Sequence, residues 1–325
     1  VPRSTLIRFR HLLPQAGEGT ATDGQGLERA MKLTVATAQY AIGAPADFAS
    51  FAARVGDRVA QAARAGAGLV VLPEYLALEA AAGQPADVRA DFARSLAALQ
   101  AQHDDYVALT RDLALRHSLY LVAGTFLLDV GGGRYRNRAY FASPDGKVSH
   151  QEKLTLTGFE RASNVIEPGD VLKVFDTEFG RVGIDVCYDV EFPLYARAQV
   201  EAGTRVILVP SCTDTEAGAN RVRVGCQARA LENQVYVACA VTAGEAPWSP
   251  ALDVNTGTAA VYTPIDRGFP SDGVLAGAAD GADWAIAELD LAALDAFKQD
   301  AQVANANDWM AQQRPSLVNA RVESL

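Results

Sequence analysis

Four consecutive apolar residues, Leu69-Val70-Val71-Leu72, leave this chain few folds to choose from. A strand with one wet face alternates apolar and polar residues, so a run without a polar side is a strand covered on both faces. Its flanks carry helical spacing. Upstream, Phe51, Val55, Val59 and Ala63 recur at the helical period, with Ser50 expected as the N-cap and Gly66 as the stop. Downstream, an amphipathic pattern runs from Asp91 through Phe92, Leu96, Leu99, Tyr106, Leu109 and Leu113 into the strand Leu119–Gly124. Gly131–Gly133, between Phe126–Val130 and Tyr135–Ala142, predicts a hairpin with a glycine turn. The second half repeats the style, with strands at 181–187, 205–210 and Val235–Val241 and helices ending near Gly203 and Asn233. Strands near 257–262 and 284–289 precede a C-terminal helix. Helices alternating with buried strands indicate an α/β layered fold.

Composition narrows the function classes. The 325 residues are 49% hydrophobic and 21% charged, ample for a core and unlike a disordered chain. With 29 basic against 39 acidic residues, the formal charge is −10. Phosphate backbones and anionic membranes attract a basic surplus, so neither nucleic acid nor a membrane surface is expected as a partner. Only four cysteines occur, at 187, 212, 226 and 239, without a CxxC pair, and four histidines are scattered at 11, 103, 117 and 150. Neither a disulfide scaffold nor a metal site is expected. No apolar run approaches the ~18–20 residues of a membrane helix, and Leu12-Leu13 before Pro14 is short for a secretory signal. A cytoplasmic protein is expected. Residues 15–26 have linker composition, so 1–30 form an arm or extension and 31–325 the folded domain.

Three strand ends carry unusual residues: Leu72-Pro73-Glu74-Tyr75, Glu152-Lys153-Leu154-Thr155, and Gly183-Ile184-Asp185-Val186-Cys187-Tyr188-Asp189. In layered α/β proteins, reactive groups gather where buried strands end. A thiol at the mouth of a helix, near an ammonium, is expected to favour the nucleophilic thiolate. A carboxylate can accept the thiol proton and later activate water, and a lysine can steady the oxyanion formed on attack at a carbonyl. Glu, Lys and Cys are the set needed to break an amide or nitrile through a thioester or thioimidate.

These motifs, in this order, resemble the nitrilase superfamily of carbon–nitrogen hydrolases over roughly Met31 to Asp308. Glu160, seven residues beyond Lys153, matches a second glutamate of that family, and Glu167-Pro168-Gly169-Asp170 and Ala228–Gln234 match further hallmarks. The resemblance implies a four-layer α-β-β-α sandwich, usually a homodimer, with no metal or organic cofactor. It implies Glu74 as general base, Lys153 as oxyanion stabiliser, Cys187 as nucleophile and Glu160 orienting Lys153 or the substrate amine. The Tyr188 N–H would complete the oxyanion hole, with Asp189 and Cys212 beside the substrate. Cys187-Tyr188-Asp189 resembles the amidases and carbamoyl hydrolases, where nitrilases carry Trp-Glu after the cysteine. The expected partner is a small-molecule amide or N-carbamoyl compound, cleaved to release ammonia or an amine. Acyl transfer to an amine, and a non-catalytic ligand-binding homologue, are the alternatives.

Some positions depart from the commoner family pattern. Glu191 stands where an Arg often precedes Phe-Pro, Leu194 where a Glu often follows, and Thr242-Ala243 replace an Asn-Arg pair. Pro210–Asp214 with Arg221-Val222-Arg223 resembles a subgroup of which some members carry an acetyltransferase domain in front. The pocket walls are expected from 75–90, 126–138, 189–195 and 212–222, with Trp248 either roofing the substrate or anchoring its loop. An arginine of the Arg221/Arg223 pair near Cys187 would favour a carboxylate-bearing substrate. Cys226 and Cys239 are expected in the core, and Arg229 and Glu232, three apart on a helix, as an ion pair.

Overall fold

The computed structural model describes residues 32–317 and 319–324, so the arm expected over 1–30 lies outside the described residues. One six-stranded sheet contains β1 (Lys32–Ala41), β2 (Leu69–Leu72), β3 (Tyr120–Gly131), β4 (Arg134–Ala142), β5 (Val148–Glu152) and β13 (Trp284–Asp290). Its order is β13-β1-β2-β3-β4-β5, with β1, β2 and β3 parallel to one another and the outer strands antiparallel. The second sheet contains β6 (Val174–Thr177), β7 (Gly180–Ile184), β8 (Thr204–Ser211), β9 (Tyr236–Glu245), β11 (Ala260–Tyr262) and β12 (Val274–Gly277), in that order. There β7, β8 and β9 are the parallel trio. A two-residue strand, β10 (Val254–Asn255), extends the end of β9. The tip of β1 crosses over: Gln39–Ala41 pair in parallel with Val241–Ala243 of β9 and join the two sheets at one corner.

The sheets stack face to face, β2 and β3 against β8 and β9. Leu69–Leu72 and Val206–Val209 are wholly buried between the layers, as their continuous apolar runs require. The outer face of the first sheet is covered by α1 (Phe48–Arg64), α2 (Phe92–Leu99) and α3 (His103–His117). After a short α4 (Gly158–Ser163), α5 (Pro193–Glu201) and α6 (Glu216–Asn233) cover the second, and α7 (Leu291–Gln299) follows β13. The architecture is the α-β-β-α sandwich.

Several local expectations shift. Asp47, not Ser50, caps α1, its carboxylate accepting the Ser50 N–H at 2.8 Å. The long pattern from 91 to 113 breaks into two helices because the Gln100 side chain is claimed by a strand. Its amide donates to the Leu127 carbonyl at 2.9 Å and accepts the Asp129 N–H at 2.9 Å. The two strands expected on either side of Gly124 are one strand with an irregular register there. Gly124 has φ +77°, and a Cβ on it would lie 2.3 Å from the Pro73 carbonyl oxygen. Only glycine lets the Pro73-Glu74 backbone pass so close to β3.

Candidate active site

Glu74 leaves the end of β2 in a backbone pinned on both sides. The next residue, Tyr75, has φ 61°, a left-handed conformation rare for a bulky side chain, and its N–H donates to Thr125 Oγ1 at 2.8 Å. Lys153 follows β5. Strand alternation sends Glu152 to one side, where Arg138 and Arg136 bind it at 2.7 and 3.0 Å, and turns Lys153 inward. Cys187 begins the 3₁₀ turn Cys187–Glu191 beyond β7, with φ 51°. Strained backbone of this kind persists where surrounding structure over-determines it, a pattern concentrated at functional sites. The three strand ends converge.

The charges at the convergence are buried and matched. Lys153 Nζ lies 2.8 Å from Glu74 Oε1 and 2.9 Å from Glu160 Oε2. Asn137 on β4 donates to Glu74 Oε1 at 2.8 Å, and the Cys212 N–H donates to Glu74 Oε2 at 3.1 Å. Glu160 accepts the Tyr75 hydroxyl at 2.8 Å and closes a capping box with Thr157, whose N–H donates to it at 2.8 Å. Thus Glu160 pairs with Lys153 and is itself held by Tyr75 and Thr157. Burial pushes Glu74 above the ordinary carboxylate range; Lys153 opposes this and the Glu160 charge adds to it. Burial works the same way on Glu160, but Lys153 outweighs it and holds that carboxyl below its usual range. Burial also disfavours the Lys153 ammonium, which Glu160 and Glu74 overcome, keeping it protonated well above its ordinary value. Burial and charge push the proton affinities of the two neighbouring carboxyls apart, Glu74 up and Glu160 down.

The thiol differs from expectation. Burial, then the Glu74 charge, push Cys187 well above the ordinary thiol range, against a smaller opposing pull from Lys153. The resting form is the thiol, because the Lys153 charge is already engaged by two carboxylates and the turn starting at Cys187 spans only five residues. Its Sγ accepts from Ser211 Oγ at 3.2 Å and donates to the Cys212 carbonyl at 3.5 Å. The Cys212 backbone therefore touches both Glu74 and Cys187.

A cavity of about 220 Å³ opens above Glu74, Lys153 and Cys187. Tyr188 and Cys212 line it with Tyr75, Thr157 and Phe159. Asp189 faces elsewhere: its carboxylate accepts the Leu154 and Thr155 N–H groups at 3.0 and 2.8 Å, tying the Lys153 segment to the Cys187 turn. It does not line the cavity, against the expectation that it lies beside the substrate. The Cys212 thiol points to Asn255 Oδ1 at 3.5 Å and is pushed up to about 12 by burial. The expected wall 126–138 forms the β3–β4 hairpin and contributes Asn137 from behind, whereas Pro250, Ala251 and Asp253 supply an unexpected wall. Trp248 packs on the core instead of lining the cavity. Arg221 lines it; Arg223 faces a separate pocket. Arg229 and Glu232 pair at 2.9 Å, and Cys226 and Cys239 are buried. Among the described residues no three His, Cys, Asp or Glu side chains group as metal ligands, and no helix is long and apolar enough to cross a membrane.

A family model for carbon-nitrogen hydrolases matches residues 34–299. The chain belongs to the carbon-nitrogen hydrolase family. Among curated relatives of this hydrolase-family chain, a probable hydrolase, YhcX, of Bacillus subtilis (strain 168) is 37% identical over 172 residues. That match covers 53% of this chain and 33% of YhcX. Human omega-amidase NIT2 is 29% identical over 178 residues, 48% of this chain and 64% of its own. The matched stretch thus spans less than two thirds of either relative's length. The crystal structure of Saccharomyces cerevisiae Nit3, of the nitrilase superfamily, superposes with a TM-score of 0.67 at 24% identity, covering 83% of this chain and 94% of Nit3. At that identity the likeness is one of fold, and it matches the carbon-nitrogen hydrolase sandwich described above.

Proposed function

We propose that this protein is a thiol amidohydrolase acting on a small, non-peptide amide or N-carbamoyl compound. The observation that carries the reading is the meeting of Glu74, Lys153 and Cys187, from three separate strand ends, at the floor of one cavity. Glu74 takes the Cys187 proton as the thiolate attacks the carbonyl carbon, and the negative oxygen is received by Lys153 and the Tyr188 N–H. The tetrahedral adduct collapses, the C–N bond breaks, and the proton held by Glu74 passes to the leaving nitrogen. Water then gives a proton to Glu74 and attacks the thioester, releasing the acid and restoring the thiol. Because the thiol is protonated at rest, attack is coupled to proton transfer rather than started by a standing thiolate. The relatives named omega-amidase and hydrolase support the same chemistry.

Intact mass after brief exposure to a panel of small amides tests this. The parent is expected to show an acyl increment on Cys187 and release of ammonia or amine. Cys187→Ala is expected to show neither, with turnover reduced ~10⁴-fold or more. Turnover by Cys187→Ala equal to the parent's would overturn the mechanism.

A further inference from the structure

The rim of the same cavity carries a charge pattern that the hydrolytic chemistry does not use. Glu191, Asp214 and Asp253 line it, and among the described lining residues the only cations are Lys153 and Arg221. Lys153 is engaged by Glu74 and Glu160, so it offers no free positive charge to the rim. Arg221 stands with its side chain 62% exposed and reaches Glu191 only at 3.5 Å, where solvent and salt weaken its field. Glu191, at 21% exposure, is the more sheltered of the two, and shelter strengthens its field towards the cavity. It also ends the 3₁₀ turn that begins at Cys187. At a rise of ~2 Å per residue, the two backbone positions are ~8 Å apart along that turn. A carboxylate is thereby fixed at a set reach from the nucleophile, with two more carboxylates at the exit.

We propose that this rim selects an amide whose far end is a cation, such as a primary ammonium or guanidinium group. The proposal rests on the thiol amidohydrolase reading and names its substrate class. The amide enters towards Cys187, and the cation stops at Glu191 with Asp214 and Asp253 beyond it. A substrate carboxylate in the same place would meet three acidic side chains and one already engaged guanidinium.

Three amides of equal chain length form the probe set: 5-aminopentanamide (cationic), hexanamide (neutral) and adipic acid monoamide (anionic). The expected order of kcat/KM is cationic over neutral by ~10-fold or more, and neutral over anionic, with the first ratio shrinking in about 1 M salt. In Glu191→Gln the cationic-to-neutral ratio is expected to fall several-fold; a ratio within one preparation is unaffected by how much enzyme is folded. Labelling of Cys187 by cationic and anionic methanethiosulfonates, normalised to a free thiol, reads the same field without turnover and should favour the cationic reagent. Equal or anionic preference in both measurements, with Cys187-dependent hydrolysis of hexanamide intact, overturns the selectivity and leaves the amidohydrolase reading standing. A cationic preference in labelling, with no acyl increment from any amide, overturns the hydrolytic reading and with it the substrate class.

Discussion

At the floor of the cavity Glu74, Lys153 and Glu160 are at most 2% exposed, and each charge has a partner within 3.1 Å. At the rim Asp214 and Asp253 are exposed, and the Arg221–Glu191 pair is long at 3.5 Å. The two regions answer to different physics. A buried charge without its partner carries a large desolvation cost, so floor residues are locked to one another and to the fold. Exposed charges contribute little to stability and act by their field on whatever enters. Changes at the floor should therefore harm folding and chemistry together, whereas changes at the rim should move selectivity alone.

Lys153→Met is the strongest way to break that division. It leaves Glu74 and Glu160 buried without their ammonium, with an expected loss of ~3–5 kcal/mol by denaturant unfolding and of nearly all turnover. Its pH dependence has a definite sign. Without Lys153, burial holds both carboxyls above their unfolded values, so their contribution to stability is present at low pH and is lost as pH rises through the folded values. The stability gap to the parent should thus be smaller at pH 5 than at pH 8, and a gap independent of pH would contradict the matched-charge account. Tyr75→Phe should have a middling effect. Losing a buried hydrogen bond to the charged Glu160 is expected to destabilise by ~1.5–3 kcal/mol in thermal or chemical unfolding, with the nucleophile still able to form an adduct. Asp253→Asn should be the mildest, within about 0.5 kcal/mol of the parent's stability while lowering preference for a cationic amide. An Asp253→Asn loss as large as that of Tyr75→Phe would erase the distinction between floor and rim.

The floor was legible from sequence because its chemistry-bearing residues sit where apolar runs stop: Glu74 after Leu72, Cys187 after Ile184. Asn137 and Ser211 were not, because inside strand patterns a polar residue facing the site looks like any other inward polar position. Glu160 carried a second signal, the Thr157-x-x-Glu160 spacing of a capping box, which accounts for the fixed geometry of its carboxylate. Asp189 misled because it lies two residues from the candidate nucleophile Cys187, yet two backbone N–H groups claim its side chain. The wall at Pro250–Asp253 left no local trace. A loop with no periodicity is placed by what holds it, here the Ala246 N–H just beyond β9, which donates to the Leu252 and Asp253 carbonyls.

One topological fact reaches beyond the site. The first described strand, β1, takes its antiparallel neighbour from β13, pairing Lys32 with Asp290 and Ala38 with Trp284. A chain emerging from the ribosome must be made through Asp290 before that ladder is complete, and until then one edge of β1 stays open to other strands. Late-arriving β13 therefore acts as the latch of the first sheet, and translation stalled before Trp284 would release a product with its aggregation-prone edge uncovered.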